Sequence, residues 1–137
     1  MLIDMTQPVK APPRRVLPGV LEKIKGAYIL WHEYHNTLPK TERYSLGNKI
    51  DKLFIETMEL ISYAGFLSGE EKIPYLKAAN RKFDTLRILL MILWEIKSLD
   101  NKRYIALSLP LDEVGKMLGG WIGQTIKQNS LAKAREK

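Results

Sequence analysis

The chain has 137 residues, no cysteine, and 22 Lys and Arg against 15 Asp and Glu, for a formal net charge of +7. That length suits one domain able to bury a core without staples, and the lack of cysteine excludes disulfides and thiolate metal sites. The positive balance points to polyanions as partners, either nucleic acid or an anionic membrane surface.

Met1 to Leu17 reads as a flexible basic arm, with Lys10, Arg14 and Arg15 against Asp4 and with Pro8, Pro12 and Pro13 removing backbone donors. It carries no apolar segment of the kind a secretory leader needs. Residues 18–129 read as the folded domain. Helix one is expected from Pro18 to His35, with Val20, Ile24, Ala27, Tyr28, Trp31 and Tyr34 on one face. Helix two opens at Pro39 and runs to Ser68-Gly69, where the glycine would supply a left-handed cap. Its apolar face is Ile50, Leu53, Phe54, Thr57, Leu60, Ile61 and Ala64.

Glu70, Glu71 and Pro74 suit the first turn of helix three, whose stripe is Leu76, Ala79, Phe83, Leu86, Leu90, Leu93 and Trp94, ending near Asp100. Asn101 to Leu109 is expected as a connector, with helix four starting at Pro110 and burying Leu111, Val114, Leu118, Trp121, Ile122 and Thr125. Residues 130–137 form a basic tail expected to fray. Four amphipathic segments with short connections, and no run of alternating polarity, predict an all-α, antiparallel up-down-up-down four-helix bundle. The longest apolar run, Ile88 to Trp94, is far short of the roughly 20 residues that a membrane span needs. A soluble cytoplasmic protein with no membrane partner is expected, and the missing cysteines fit a reducing compartment.

The features that bear on chemistry are cations and glycines. Lys40 and Arg43 share a face at the start of helix two, where positive charge opposes the helix dipole and invites an anionic neighbour. Arg87 borders the apolar stripe of helix three, with Asp84 as the local partner for an ordinary surface pair. Lys77 and Arg81, four apart on the same helix, could extend a basic strip or form a solvated face. Gly115, Gly119 and Gly123 recur every four residues and make a ridge without side chains, suited to tight packing in the bundle, a subunit contact or a close-passing nucleic-acid strand. His32 and His35 lack the third ligand of a metal motif, and histidines at a helix end more often meet free carbonyls. No phosphate-binding loop, dinucleotide fingerprint or nucleophile constellation is present, so neither catalysis, a cofactor nor a metal is expected.

Three runs carry a family resemblance: Leu38-Pro39-Lys40-Thr41-Glu42-Arg43-Tyr44-Ser45-Leu46-Gly47, Phe83-Asp84-Thr85-Leu86-Arg87, and Glu113-Val114-Gly115-Lys116-Met117-Leu118-Gly119-Gly120-Trp121-Ile122. In that order, over about Val20 to Gln128, the chain resembles the accessory variability determinant (Avd) proteins of diversity-generating retroelements. These belong to a wider group of four-helix-bundle proteins that includes those encoded in ribosomal RNA intervening sequences. The resemblance implies a homopentameric, barrel-like ring with a basic surface that binds a reverse transcriptase and RNA or DNA. Such a ring would support mutagenic copying of a template RNA without being the polymerase. By position, Arg87 and Lys116 match basic places in the family, and Lys23 and Lys40 match more loosely. The chain departs from the pattern in its proline-rich arm and in Met91, where a second arginine of helix three would be expected. The alternative is a bundle that acts as a protein-interaction or ribosomal-RNA-associated module.

Overall fold

A computed structural model describes residues 19–136, so the expected arm at residues 1–17 lies outside the described region. The described chain forms four long helices and, among its residues, no strand. They are α1 (Gly19–His35), α2 (Asn48–Ala64), α3 (Ile73–Glu95) and α4 (Asn101–Glu136). Each packs on the next in chain order and α4 returns to α1, which makes a square bundle. Trp31, Phe54 and Phe83 are fully buried at its centre among Ile24, Ile50, Ile61, Leu76, Leu86, Leu93 and Val114. These are the stripes that the apolar periodicity points to. The buried Thr57 hydroxyl donates to the Leu53 carbonyl at 2.6 Å, so no polar group is stranded there.

The entry to α2 is more elaborate than a proline-started helix. Pro39 leads into a single α-helical turn, Lys40–Glu42, and then a π-helical turn, Arg43–Gly47. The Arg43 carbonyl accepts from His35 Nε2 at 3.2 Å, which requires the proton to sit on that nitrogen. The His35 ring stacks on Trp31 with centroids 5.1 Å apart. Gly47 makes this approach possible, because a Cβ there would lie 2.8 and 2.9 Å from His35 ring atoms and 3.0 Å from the Glu42 carbonyl oxygen.

Helix boundaries differ from the sequence expectation at three places. α2 ends at Ala64 rather than Ser68. Gly69 does take a left-handed φ of 54°, but it opens a 3-10 turn, Gly69–Lys72, instead of capping α2. α3 stops at Glu95 in a Schellman arrangement: Ser98 N–H donates to Leu93 O at 3.0 Å, Lys97 N–H donates to Trp94 O at 3.0 Å, and Lys97 takes φ 66°. The expected connector at 101–109 is helical, and α4 runs unbroken through Pro110 and the expected tail to Glu136. Its start is fixed by Asp100, whose carboxylate accepts from the Arg103 N–H at 2.8 Å as an N-cap. Proline within a helix costs about 3 kcal/mol, and burial of Leu107 on one side and Leu111 on the other offsets it.

Helical spacing alone puts Trp94 in the core stripe with Leu93, and the structure corrects this. Leu93 is fully buried, whereas Trp94 is 39% exposed on the outer seam between α3 and α4. There it stacks on Tyr104 with centroids 4.9 Å apart, and its indole N–H donates to Asn101 Oδ1 at 2.6 Å. A helix stripe holds only one of two adjacent residues at its centre, and here that residue is Leu93.

Candidate nucleic-acid interface

The candidate cations fall into three groups. Arg87 on α3 and Lys23 on α1 flank the outer face of α4 from its two sides. The Arg87 guanidinium pairs with Asp112, and the Lys23 ammonium pairs with Glu113 at 2.6 Å. Lys116 follows one turn later on the same face of α4, exposed and without an ion pair among the described residues. Three cations thus gather across α1, α4 and α3 around two carboxylates, leaving a local excess of one positive charge. Arg87 does not pair with Asp84, the partner that local spacing suggests. Its true partner is 25 residues away on the next helix, beyond the reach of any local pattern.

Arg87 also leans over the Phe83 ring, 5.7 Å from its centroid, and a Cβ at Gly115 would lie 3.4 Å from both side chains. Gly115 is therefore half-covered by the Arg87–Phe83 pair. The rest of the ridge is bare. A Cβ added at Gly119, Gly120 or Gly123 meets nothing within 4 Å among the described residues, so these glycines are not used for packing inside this bundle. The bare backbone lies immediately beyond Lys116 on the exposed side of α4.

Lys77 and Arg81 are exposed on α3 toward its N-terminus, without ion pairs among the described residues, and lie apart from the Asp112–Glu113 cluster. Lys40 and Arg43 belong to the other end of the bundle. Lys23 is twelve residues before the end of α1, about 18 Å along the axis, which sets that distance between the two groups. Lys40 is exposed, but Arg43 is committed: its Nε and Nη2 both donate to the Leu38 carbonyl, at 3.3 and 3.0 Å, and stiffen the π turn. The seven cations named from sequence therefore do not line one strip.

Of the two histidines, His35 is engaged by the Arg43 carbonyl and Trp31, and His32 is exposed. Among the described residues, no group of three or more His, Cys, Asp or Glu gathers as metal ligands would. No described helix is long and apolar enough to cross a membrane. Four further pairs are ordinary solvated ones: Lys25–Glu22, Lys82–Glu56, Arg103–Asp100 and Lys133–Glu70. Lys82 donates to Glu56 at 2.8 Å between α3 and α2, and this hydrogen bond holds the Glu56 carboxyl below its usual range.

A second surface lies on the α3–α4 seam, where Met91, Trp94, Ile105 and Leu109 are all exposed. On the opposite, α1–α2 side of the square bundle, Ile29 and Ile55 are exposed. Single exposed apolar residues need no explanation, but an exposed tryptophan that shares a groove with Ile105 and Tyr104 is the usual make-up of a protein contact.

No curated protein matches the chain. A family model described as bAvd-like matches residues 20–125, which span α1, α2 and α3 almost whole and α4 as far as Thr125, including the Lys23–Glu113 and Arg87–Asp112 pairs. Over most of its length, then, this four-helix chain belongs to the bAvd-like family.

Proposed function

We propose that the chain is a non-catalytic accessory protein of a diversity-generating retroelement. It assembles as a homopentameric ring, docks the reverse transcriptase through its apolar surface and holds template RNA or cDNA on its basic surface. The observation that carries this reading is the convergence of Lys23, Arg87 and Lys116 on one exposed face of α4, next to helix backbone left open by Gly119, Gly120 and Gly123. Phosphates need cations and close approach, and this face offers both. Membership in the bAvd-like family and the formal charge of +7 support the same partners.

The test is a salt titration of RNA binding with the Arg87→Ala, Lys116→Ala double variant. For every phosphate that the variant no longer neutralises, the dependence of log affinity on log salt should flatten by about 0.7–0.9. A folded double variant with the wild-type slope removes these residues from the interface. The exposed α3–α4 seam favours one second reading, a protein-docking module for which charge is incidental. Weak RNA binding indifferent to salt, with partner capture abolished by Trp94→Ala, would favour that module.

A further inference from the structure

The core-facing stripe of α4 changes character beyond Trp121. Up to Leu118 it is Leu107, Leu111, Val114 and Leu118, all buried. Past Trp121 the residues on the same side become Thr125, Gln128, Asn129 and Ala132, which line an open groove against the 3-10 turn Gly69–Lys72. Between them lies a cleft of about 360 Å³, lined by Gly69, Lys72, Trp121, Gln124, Gln128 and Asn129 among others. That volume is at the lower end for small-molecule sites.

Its chemistry is selective. The Lys72 ammonium lies over the half-buried Trp121 indole, 5.6 Å from its centroid, so a base stacking on that face would move the ammonium to its edge. Gln124, Gln128 and Asn129 offer planar carboxamides, each with donors and an acceptor, that make no side-chain hydrogen bond among the described residues. The Thr125 hydroxyl is already committed to the Trp121 carbonyl at 2.8 Å. No carboxylate lines the cleft, and Glu70 of the facing turn is tied to Lys133 at 3.2 Å. An apolar ligand would gain nothing from the three amides, and a cation would meet Lys72. A flat heterocycle edged with donors and acceptors, carrying an anion, fits every group. Carboxamides pair with base edges, indoles stack on base faces, and an ammonium meets phosphate.

We propose that this cleft takes one unpaired nucleotide, its base against Trp121 and the Gln124, Gln128 and Asn129 amides and its phosphate at Lys72. The inference rests on the nucleic-acid reading above and places a base-reading site away from the Lys23–Arg87–Lys116 face. The nucleotide can come from a single strand or be free in solution, and the experiment separates the two.

Binding of the full chain to a labelled oligoadenylate is compared with binding to an abasic strand bearing the same number of phosphates, at one salt concentration. Wild type should bind the abasic strand about tenfold more weakly, the loss expected for one stacked and hydrogen-bonded base. Gln128→Ala with Asn129→Ala, both on a surface helix, should cut that difference to about threefold, the part left to stacking on Trp121, and leave the salt slope unchanged. Equal wild-type affinity for both strands overturns the inference while leaving the basic-surface reading intact. If neither strand binds, the nucleic-acid reading itself falls, and adenosine monophosphate becomes the probe. A shift of the Gln124 side-chain amide on adding it, lost in the double variant, supports a free-nucleotide site, and no shift overturns the inference.

Discussion

Replacing Gly119 and Gly123 by alanine should make the isolated protein more stable. Both lie inside α4, neither has a positive φ, and neither added Cβ meets an atom within 4 Å among the described residues. The gain comes from the backbone alone: glycine in a helix interior is less favourable than alanine by about 0.5–1 kcal/mol. The pair should therefore contribute about 1–2 kcal/mol, treated as additive because the new methyl groups displace nothing. For an ordered region of about 120 residues, unfolding entropy converts this to a rise of about 4–8 °C in Tm. Urea unfolding followed by circular dichroism, at high salt and a fixed protomer concentration, measures it. A double variant equal to or less stable than wild type would refute the reasoning, since something must then approach the ridge in the folded state. A more stable variant that no longer assembles or binds RNA would locate the partner on that face.

Gly47→Ala should do the opposite and destabilise by about 1–3 kcal/mol, because its methyl group would collide with the His35 ring at 2.8 Å; unchanged stability in the same assay would show that the π turn is not fixed by that contact. Lys97→Gly should stabilise by about 0.5–1 kcal/mol, by relieving a left-handed lysine at the C-terminus of α3, and a lower urea midpoint would count against it. The Glu56 carboxyl is held below its ordinary pKa of 4.5 by the hydrogen bond from Lys82, so the pair stabilises the fold above that pH and the contribution is lost as pH falls through the folded-state value. As a surface pair it is worth a few tenths of a kcal/mol, and Glu56→Gln should flatten the acid limb of stability below pH 4.5 by that amount and leave pH 7–9 flat.

Where the fold is legible in the sequence, the cause is periodicity. Ile24, Trp31, Phe54, Phe83, Leu86 and Val114 repeat at helical spacing, and burying that stripe dominates the fold. Pro110 misleads because a proline signal is strong locally, while the burial of Leu107 that overrides it is a property of the assembled bundle. The true start of α4 is signalled by Asp100, an N-cap residue eclipsed by the proline downstream. The same contrast holds for the site. Arg87 stands out by bordering an apolar stripe, but its pairing with Asp112 depends on how α3 meets α4, which no local spacing encodes. Arg43 reads as a ligand-facing cation and is instead turned back onto the Leu38 carbonyl, a hydrogen bond created by the unpatterned π turn.

Asp112 and Glu113 give the basic face a further property. They occupy two of its three cations, so a phosphate arriving at Arg87 or Lys23 must compete with a carboxylate already in place. All four groups are substantially exposed, with side-chain accessibilities of 41–58%, and exposed pairs hold by about 0–1 kcal/mol. The competition is therefore real but weak: the acids temper affinity without blocking it. Asp112→Asn with Glu113→Gln removes the competition at little cost to the fold and raises the local excess from one positive charge to three. RNA should then bind more tightly, with the salt slope steeper by up to about 1–2 as Arg87 and Lys23 become free to displace counterions. The change should vanish when Arg87→Ala and Lys23→Ala are added, because the acids act only through those partners. Tighter binding that persists without Arg87 and Lys23 would mean the carboxylates repel the strand directly, and an unaltered slope would mean that the strand runs elsewhere.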